Sequence, residues 1–483
     1  MEWKTLLSEK RLGVNTNYPY NEDRYPVSEF EKDYEKIITS AAFRRLQDKT
    51  QVFPLDKSDF IRTRLTHSIE TATIAKRMAG MIAKNINIFQ KNDPHKIDSD
   101  MLSSIENIMM CAGLLHDLGN PPFGHFGEVV IGDWFQTHLE DEKFHFRGKP
   151  VSLYLSEQMK NDLIHFEGNA QTIRILTKLY SSNDLYGMNL TTSVLNTLIK
   201  YPTDSLNFND DSEDIKLHKL GYFFAEKNEL DKIVAETKTS LGVDCMVRHP
   251  LTYILEAADD IAYAAADLED AFKKGMFTLD GFTNFFNKSL EKRKTNMSVS
   301  QFNKTTQLIL DLTNSREKCE SESAAFHEWI EEVRNWLIYS AAYGFTNNYK
   351  DIMNGGYKNS ILDGTYHEYS LKIMKKDIMG KFVYRDHSIL KLELSAQTII
   401  YSLLNKFIPA ILEFGEENEG FKQSKAEIRL TDLLSENYKE CYQKQKIGDE
   451  GTDLYLRFLL VTDFISGMTD TYAKDLYQAL QGI

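Results

Sequence analysis

Residues Leu114–Glu128 read LLHDLGNPPFGHFGE, the densest concentration of reactive side chains in the chain. An adjacent pair, His116 and Asp117, ends an apolar run, and Gly119, Pro121 and Pro122 break that run sharply. Past the break, His125 and Glu128 stand three apart, so in a helix they share a face. An imidazole beside a carboxylate suits a hard or borderline divalent cation. A second His-Glu pair just beyond suits proton transfer next to that cation.

The run before the break carries Ile105, Ile108, Met109, Ala112 and Leu115 at helical spacing. Upstream, Met1–Val27 is polar and turn-rich around Asn15, Asn17, Pro19 and Pro26 and reads as an extended arm. From Glu29 a helical pattern carries Ile37, Ile38, Ala41, Ala42 and Leu46. Thr66 is placed to cap the next helix, in which His67, Thr71, Ile74, Met78 and Met81 form one stripe. Downstream the pattern predicts a helix over His125–Leu139, a loop over Asp141–Pro150, and a helix entered through His165–Asn169 and running to Tyr180. His249-Pro250 opens a helix that reaches about Phe272, with proline where a first turn accepts it. From about Thr278 to Ile483 amphipathic helix dominates. With no repeat and no β-hairpin signal, the fold class is all-α. The expected organisation is an arm over 1–28, a helical core over 29–275, and a further helical region over 276–483 that completes the pocket and the oligomer contacts.

Hydrophobic residues make up 42% and aromatics 12% of 483 residues, enough for a sizeable core, so disorder is not the default. A net charge of −14 opposes broad, unspecific binding to nucleic acid or anionic membrane. Locally that charge inverts: six cations stand between Arg44 and Arg64 against three acids, a place for an anion. Cys111, Cys245, Cys319 and Cys441 lie far apart without metal-knuckle spacing and read as buried thiols in a reducing compartment. The N-terminus lacks the apolar core of a signal peptide, and no run approaches a membrane span. A cytoplasmic protein is the simplest expectation.

Four candidate ligands fall on three expected helices: His67 near the start of one, His116 and Asp117 at the end of another, Asp259 within the third. Such a set leaves coordination positions for water and substrate. The plain alternative is a helix-start histidine and a capping aspartate. The third helix adds weight, because Glu256, Asp259, Tyr263, Asp267 and Asp270 form one acidic stripe flanked by alanines. Small neighbours suit close packing on several sides, and a buried acidic stripe needs a metal or arginines as partners. His125 and Glu128 could form a surface pair, but their place just past the His-Asp turn favours chemistry.

The order RLTHS (Arg64–Ser68), LLHDLGNPPFGHFGE, HFEGNAQ (His165–Gln171) and EAADDIAYAAADLEDA (Glu256–Ala271) resembles the HD-domain deoxynucleoside triphosphate triphosphohydrolases, and most of all the bacterial deoxyguanosine triphosphate triphosphohydrolases. The resemblance covers about Phe43–Phe272. It implies His67, His116, Asp117 and Asp259 as metal ligands, with Asp259 chosen over Asp260 because the family's ligand precedes a substrate-facing tyrosine by four, here Tyr263. It implies His125 and Glu128 as the catalytic pair and His165 as a further active-site histidine. Arg64 matches a phosphate contact, Gln51 a contact to the deoxyribose 3′-hydroxyl, and Asp267 another substrate contact. Arg385 or Lys391 are candidates for phosphate ligands from the C-terminal part. The implied ion is Mg²⁺ or Mn²⁺, although two histidines and two aspartates also tolerate Fe, Co, Ni and Zn. The implied reaction converts a dNTP into deoxynucleoside and intact inorganic triphosphate. The resemblance implies a homo-oligomer, a hexamer by family analogy, and leaves room for an allosteric nucleotide and weak single-stranded DNA binding. Two other readings stay open: an HD phosphohydrolase acting on a phosphomonoester, cyclic nucleotide or alarmone, and a nucleotide-sensing or single-strand-DNA-binding protein without turnover.

Overall fold

With 10 prolines and 25 glycines in 483 residues the chain has room for long helices, and these form in the computed structural model. It describes residues 1–13, 27–55, 58–90, 96–180, 186–242, 245–415 and 422–483. The helices that position the site are α1 (Glu29–Thr39), α2 (Arg64–Phe89), α3 (Ser99–Leu115), α4 (Gly124–Glu140), α5 (Gly168–Arg174), α6 (Pro250–Lys273), α7 (Glu322–Asn347), α8 (His387–Ile411), α9 (Glu450–Ser466) and α10 (Asp470–Gln481). The fold is all-α. Among the described residues the strands are His145–Phe146 and Lys149–Pro150, paired antiparallel. This hairpin falls where a plain loop is expected. Its turn residues, Arg147 and Gly148, both have positive φ (49° and 82°), as a two-residue hairpin turn of the primed type requires.

Two apolar cores hold the helices together. In the first, α2 packs along α3 while α6 and α7 close over α2. In the second, α4 packs against α8 and α9, with Trp134, Phe135, Phe407 and Phe458 buried between them. Neither core stops at residue 275. The first runs on through Ile389, and the second joins Phe123–Ala170 to Ala396–Ala473.

Four local expectations need correction. The pattern from Glu29 to Leu46 is broken at Ser40, whose extended backbone ends α1; its hydroxyl then caps a short helix, Ala41–Arg45, by accepting from Phe43 N. The cap of α2 is Thr63, and Thr66 is its reciprocal partner at the third helical position. The N-terminus is not extended over Trp3–Leu6, which form a helical turn: Trp3 and Leu6 are buried, and Trp3 Nε1 donates to the Tyr349 hydroxyl at 3.0 Å. Asn15, Asn17, Pro19 and Pro26 lie outside the described residues. All four thiols are free; Cys111 and Cys441 are buried, whereas Cys319 is half-buried and Cys245 lies exposed in a surface turn. No helix among the described residues is long and apolar enough to cross a membrane.

Candidate metal and catalytic site

The site begins with a backbone contact. A Cβ at Gly113 would lie 2.4 Å from Ala72 Cα, so α2 and α3 touch main chain to main chain. That approach brings His67, one turn into α2, against His116, the residue that ends α3; their ring centroids are 5.2 Å apart. The small residues Ala257, Ala258 and Ala262 let α6 pack closely enough to add Asp259. Asp259 Oδ1 lies 3.1 Å from His67 Nε2 and 3.2 Å from His116 Nε2, and Asp117 Oδ1 lies 3.6 Å from His116 Nε2.

The donor set fits a divalent ion. His116 Nδ1 donates to the Gly113 carbonyl at 2.8 Å, so Nε2 carries the lone pair, and that atom is buried without a hydrogen-bond partner. Each aspartate gives one oxygen to a cation: Asp117 Oδ2 accepts from Arg64 at 2.6 Å, and Asp259 Oδ2 from Lys200 at 2.8 Å. Both Oδ1 atoms face the histidines, and that of Asp117 also accepts from Asn120. Ligand atoms of His67, His116 and Asp117 all lie within 4.8 Å of one another. Burial pushes the Asp117 carboxyl up, but Arg64, His116 and His67 outweigh it and hold it at about 2. Burial likewise opposes ionisation of Asp259, and Lys200 with His116 reverses that and carries it well below the usual carboxylate range. Burial disfavours a proton on His116, yet Asp117 and Asp259 raise it, the same negative field that attracts a cation.

The His-Glu pair is built by the turn that follows. Phe123 and Gly124 both adopt positive φ (63° each), which reverses the chain and starts α4. His125 Nδ1 lies 2.7 Å from Glu128 Oε2, while Glu128 Oε1 accepts from Gly168 N at 3.1 Å. Glu128 is buried, and the His125 side chain is 76% exposed, so the carboxylate is fixed and the imidazole faces outward. The hydrogen bond from Glu128 is the main cause that raises the His125 imidazole. Burial and then Glu167 raise Glu128. The pair adjoins the histidine-aspartate cluster at two places. Arg64 binds Asp117 and lies so near the start of α4 that a Cβ on Gly124 would come within 2.6 Å of its Nη2. Asn120 donates to Asp117 Oδ1 at 2.7 Å, and Gly168 is squeezed between Asn120 and Glu128.

Around this centre the other expected residues are placed as follows. The Tyr263 ring stands edge-on to His67 at 6.5 Å, and its hydroxyl is 2.7 Å from that of Tyr384. Asp267 is buried and shares a hydrogen bond with Tyr263; its Oδ2 has no partner, and burial with Asp270 raises its carboxyl well above the usual range. Gln51 Oε1 is also buried without a partner. His165 is exposed at the end of helix Glu157–Ile164 with its ring against Phe208 at 4.9 Å, and no hydrogen bond or ion pair joins it to the cluster. Asp260 turns away from the histidines to Lys375. Arg62 is held by Glu70, Glu269 and Asp270. Arg385 and Lys391 are exposed, and neither side chain pairs with a described residue. The acidic stripe of α6 is thus partnered rather than solvated.

Four residues escape the sequence reading. Lys200 binds Asp259, Lys219 binds Glu167 at 2.8 Å beside Glu128, and Lys375 and Tyr384 meet α6 at Asp260 and Tyr263. Each is a lone residue with no local pattern to mark it.

The HD domain family matches residues 64–187, the segment from Arg64 through the His-Glu pair and α5. Over the whole length of both chains, this one is 42% identical to a deoxyguanosinetriphosphate triphosphohydrolase-like protein of Listeria monocytogenes. It belongs to that family. The likeness to the protein of the same description from Listeria innocua is again 42%, with both chains fully covered. HD domains bind divalent metals, and membership marks the chain as a metal-dependent nucleotide phosphohydrolase.

Proposed function

We propose that the chain hydrolyses deoxynucleoside triphosphates, with dGTP the expected substrate, to the deoxynucleoside and inorganic triphosphate. The observation that carries this reading is the adjacency of two units: a cluster with inward-facing lone pairs and a His-Glu pair with one exposed imidazole, brought together where Arg64 meets Gly124 and Asn120 meets Gly168. A protein that only bound nucleotide would need the first unit and not the second.

His67, His116, Asp117 and Asp259 would hold the ion, with Mg²⁺ or Mn²⁺ expected. A bound ion supplies Lewis-acid polarisation of phosphate oxygens and nucleophilic water at neutral pH. Arg64, Lys200, Lys219 and Lys375 stand around the cluster as cations to meet a triphosphate of about four negative charges. His125, oriented by Glu128, gives its proton to the departing 5′-oxygen when water attacks the α-phosphorus. Tyr263 packs on C2′ and leaves no room for a ribose hydroxyl, while the free Gln51 Oε1 accepts from the 3′-hydroxyl. Asp267 is the further substrate contact, and His165 a supporting one at the rim. The expected setting is a cytoplasmic homo-oligomer.

The test is incubation with each of the four dNTPs plus Mg²⁺ or Mn²⁺, followed by chromatography. Deoxynucleoside and triphosphate in equal amounts support the reading. Stepwise release of phosphate favours a different HD phosphohydrolase, and no turnover with any dNTP removes the proposal.

A further inference from the structure

Asp470 is the first residue of α10, and it is 1% exposed. Its Oδ1 accepts from Phe123 N at 2.9 Å, and its Oδ2 accepts from Thr50 N at 3.1 Å and Thr50 Oγ1 at 2.6 Å. One carboxylate therefore holds two segments that are distant in sequence. Thr50 precedes Gln51, and Phe123 stands two residues before His125. A parallel link runs through buried Lys49, whose Nζ donates to the carbonyls of Asn120 at 2.6 Å and Ser466 at 2.7 Å. Segments 49–51, 120–123 and 466–470 are stapled together at one place.

The staple falls where the chain needs holding. Phe123 lies in the left-handed region, which a bulky residue adopts only when its surroundings determine it. Its backbone N–H is the atom Asp470 takes, so the carboxylate fixes the turn that aims His125. The same carboxylate fixes the backbone from which Gln51 projects. Of α10, only Asp470 and Ala473 are buried, so the helix is docked chiefly through this residue and a few partly buried apolar side chains.

We infer that Asp470 is a positioning residue: the start of the last helix sets the spacing between the sugar-contacting Gln51 and the proton donor His125. This rests on the dNTP triphosphohydrolase reading for what the two residues do. The geometric part, one carboxylate governing both segments, stands without it.

Asp470→Asn keeps the shape but can no longer accept at both ends, and Thr50→Val removes the Oγ1 link alone. The readouts are kcat and KM for dGTP, the preference for dGTP over 2′,3′-dideoxy-GTP, and hydrogen exchange of the peptides covering 50–53 and 121–127. Asp470→Asn is expected to lower kcat by about 10²-fold, the effect of misplacing reacting groups by about 1 Å. It should also shrink the dGTP preference and speed exchange in both peptides together. Thr50→Val should move the preference and the 50–53 peptide in the same direction, and it keeps the test intact if Asp470→Asn does not fold. A purely structural role would lower the active fraction for both substrates alike and leave their ratio unchanged. Folded variants with the wild-type ratio and wild-type exchange overturn the inference. A wild-type chain with no dNTP turnover defeats the substrate reading instead, and coupled or uncoupled exchange in the two peptides then decides the clamp.

Discussion

His116 Nδ1 lies 2.8 Å from the carbonyl of Gly113, three residues back in its own helix, and this bond decides which nitrogen faces the site. The proton is spent on the backbone, so the lone pair on Nε2 points at Asp259 and Asp117. Gly113 is also the residue that lets α3 touch α2. The same glycine thus orients one candidate ligand and admits the other.

If His67, His116, Asp117 and Asp259 form one metal site, Asp117→Ala abolishes bound metal and turnover while the far-ultraviolet spectrum stays helical. Full metal occupancy by elemental analysis in that variant would contradict the assignment. Asp260→Asn, whose carboxylate serves Lys375, keeps the metal, whereas Asp259→Asn loses it. The reverse result would exchange the two carboxylates.

His125→Ala is expected to retain metal and dNTP binding and to lose turnover by the ~10²–10⁴-fold typical of a missing general acid. The pH profile tests the same role. Glu128 raises the His125 imidazole, so the protonated donor persists to higher pH than a free imidazole would allow. Glu128→Gln removes that charge, and the alkaline limb of kcat moves to lower pH. A limb that stays in place, or moves up, would contradict the pairing.

Much of this arrangement was legible in the chain itself, because its signals are local. The helical period marked α2, α3, α4 and α6, and the Gly-Pro break after His116-Asp117 marked where α3 stops. Terminal details slipped where two residues could do one job: Thr63 and Thr66 are both threonines, and each holds the other's backbone. The Arg147-Gly148 hairpin leaves no mark in the sequence because its strands are two residues each, too short to show alternation. Lys200 and Asp470 were invisible for a different reason. Their partners stand 59 and 347 residues away, at Asp259 and Phe123, and no spacing rule reaches that far.

Tyr263→Ala is expected to raise the relative kcat/KM for rNTPs and lower it for dNTPs, since the ring would no longer exclude a 2′-hydroxyl. If the ring serves only packing, the variant instead costs about 3–5 kcal/mol of stability with the sugar ratio unchanged. Melting temperature and the dNTP-to-rNTP ratio on one sample separate the two.

Acid stability follows from a residue outside the site. His249 caps α6 by accepting from Leu251 N through Nδ1 and donates to the Leu6 carbonyl through Nε2, an arrangement that only the neutral ring can make. Burial lowers its pKa to about 4 from the ordinary 6.5. The unfolded chain therefore binds the proton first as pH falls, and the stability present above pH 6.5 is lost on the way down to pH 4, by about 3 kcal/mol. His249→Asn retains a capping oxygen without that titration. Its melting temperature should fall less steeply than wild type between pH 6.5 and 4; parallel curves would show that His249 is not responsible.

The central claim is that water attacks the α-phosphorus while His125 protonates the 5′-oxygen, and turnover of dGTP in H₂¹⁸O tests it most directly. Mass spectrometry is predicted to find one ¹⁸O in the inorganic triphosphate and none in the deoxyguanosine. Label in orthophosphate or pyrophosphate, or in the nucleoside, would place the attack elsewhere and contradict the account.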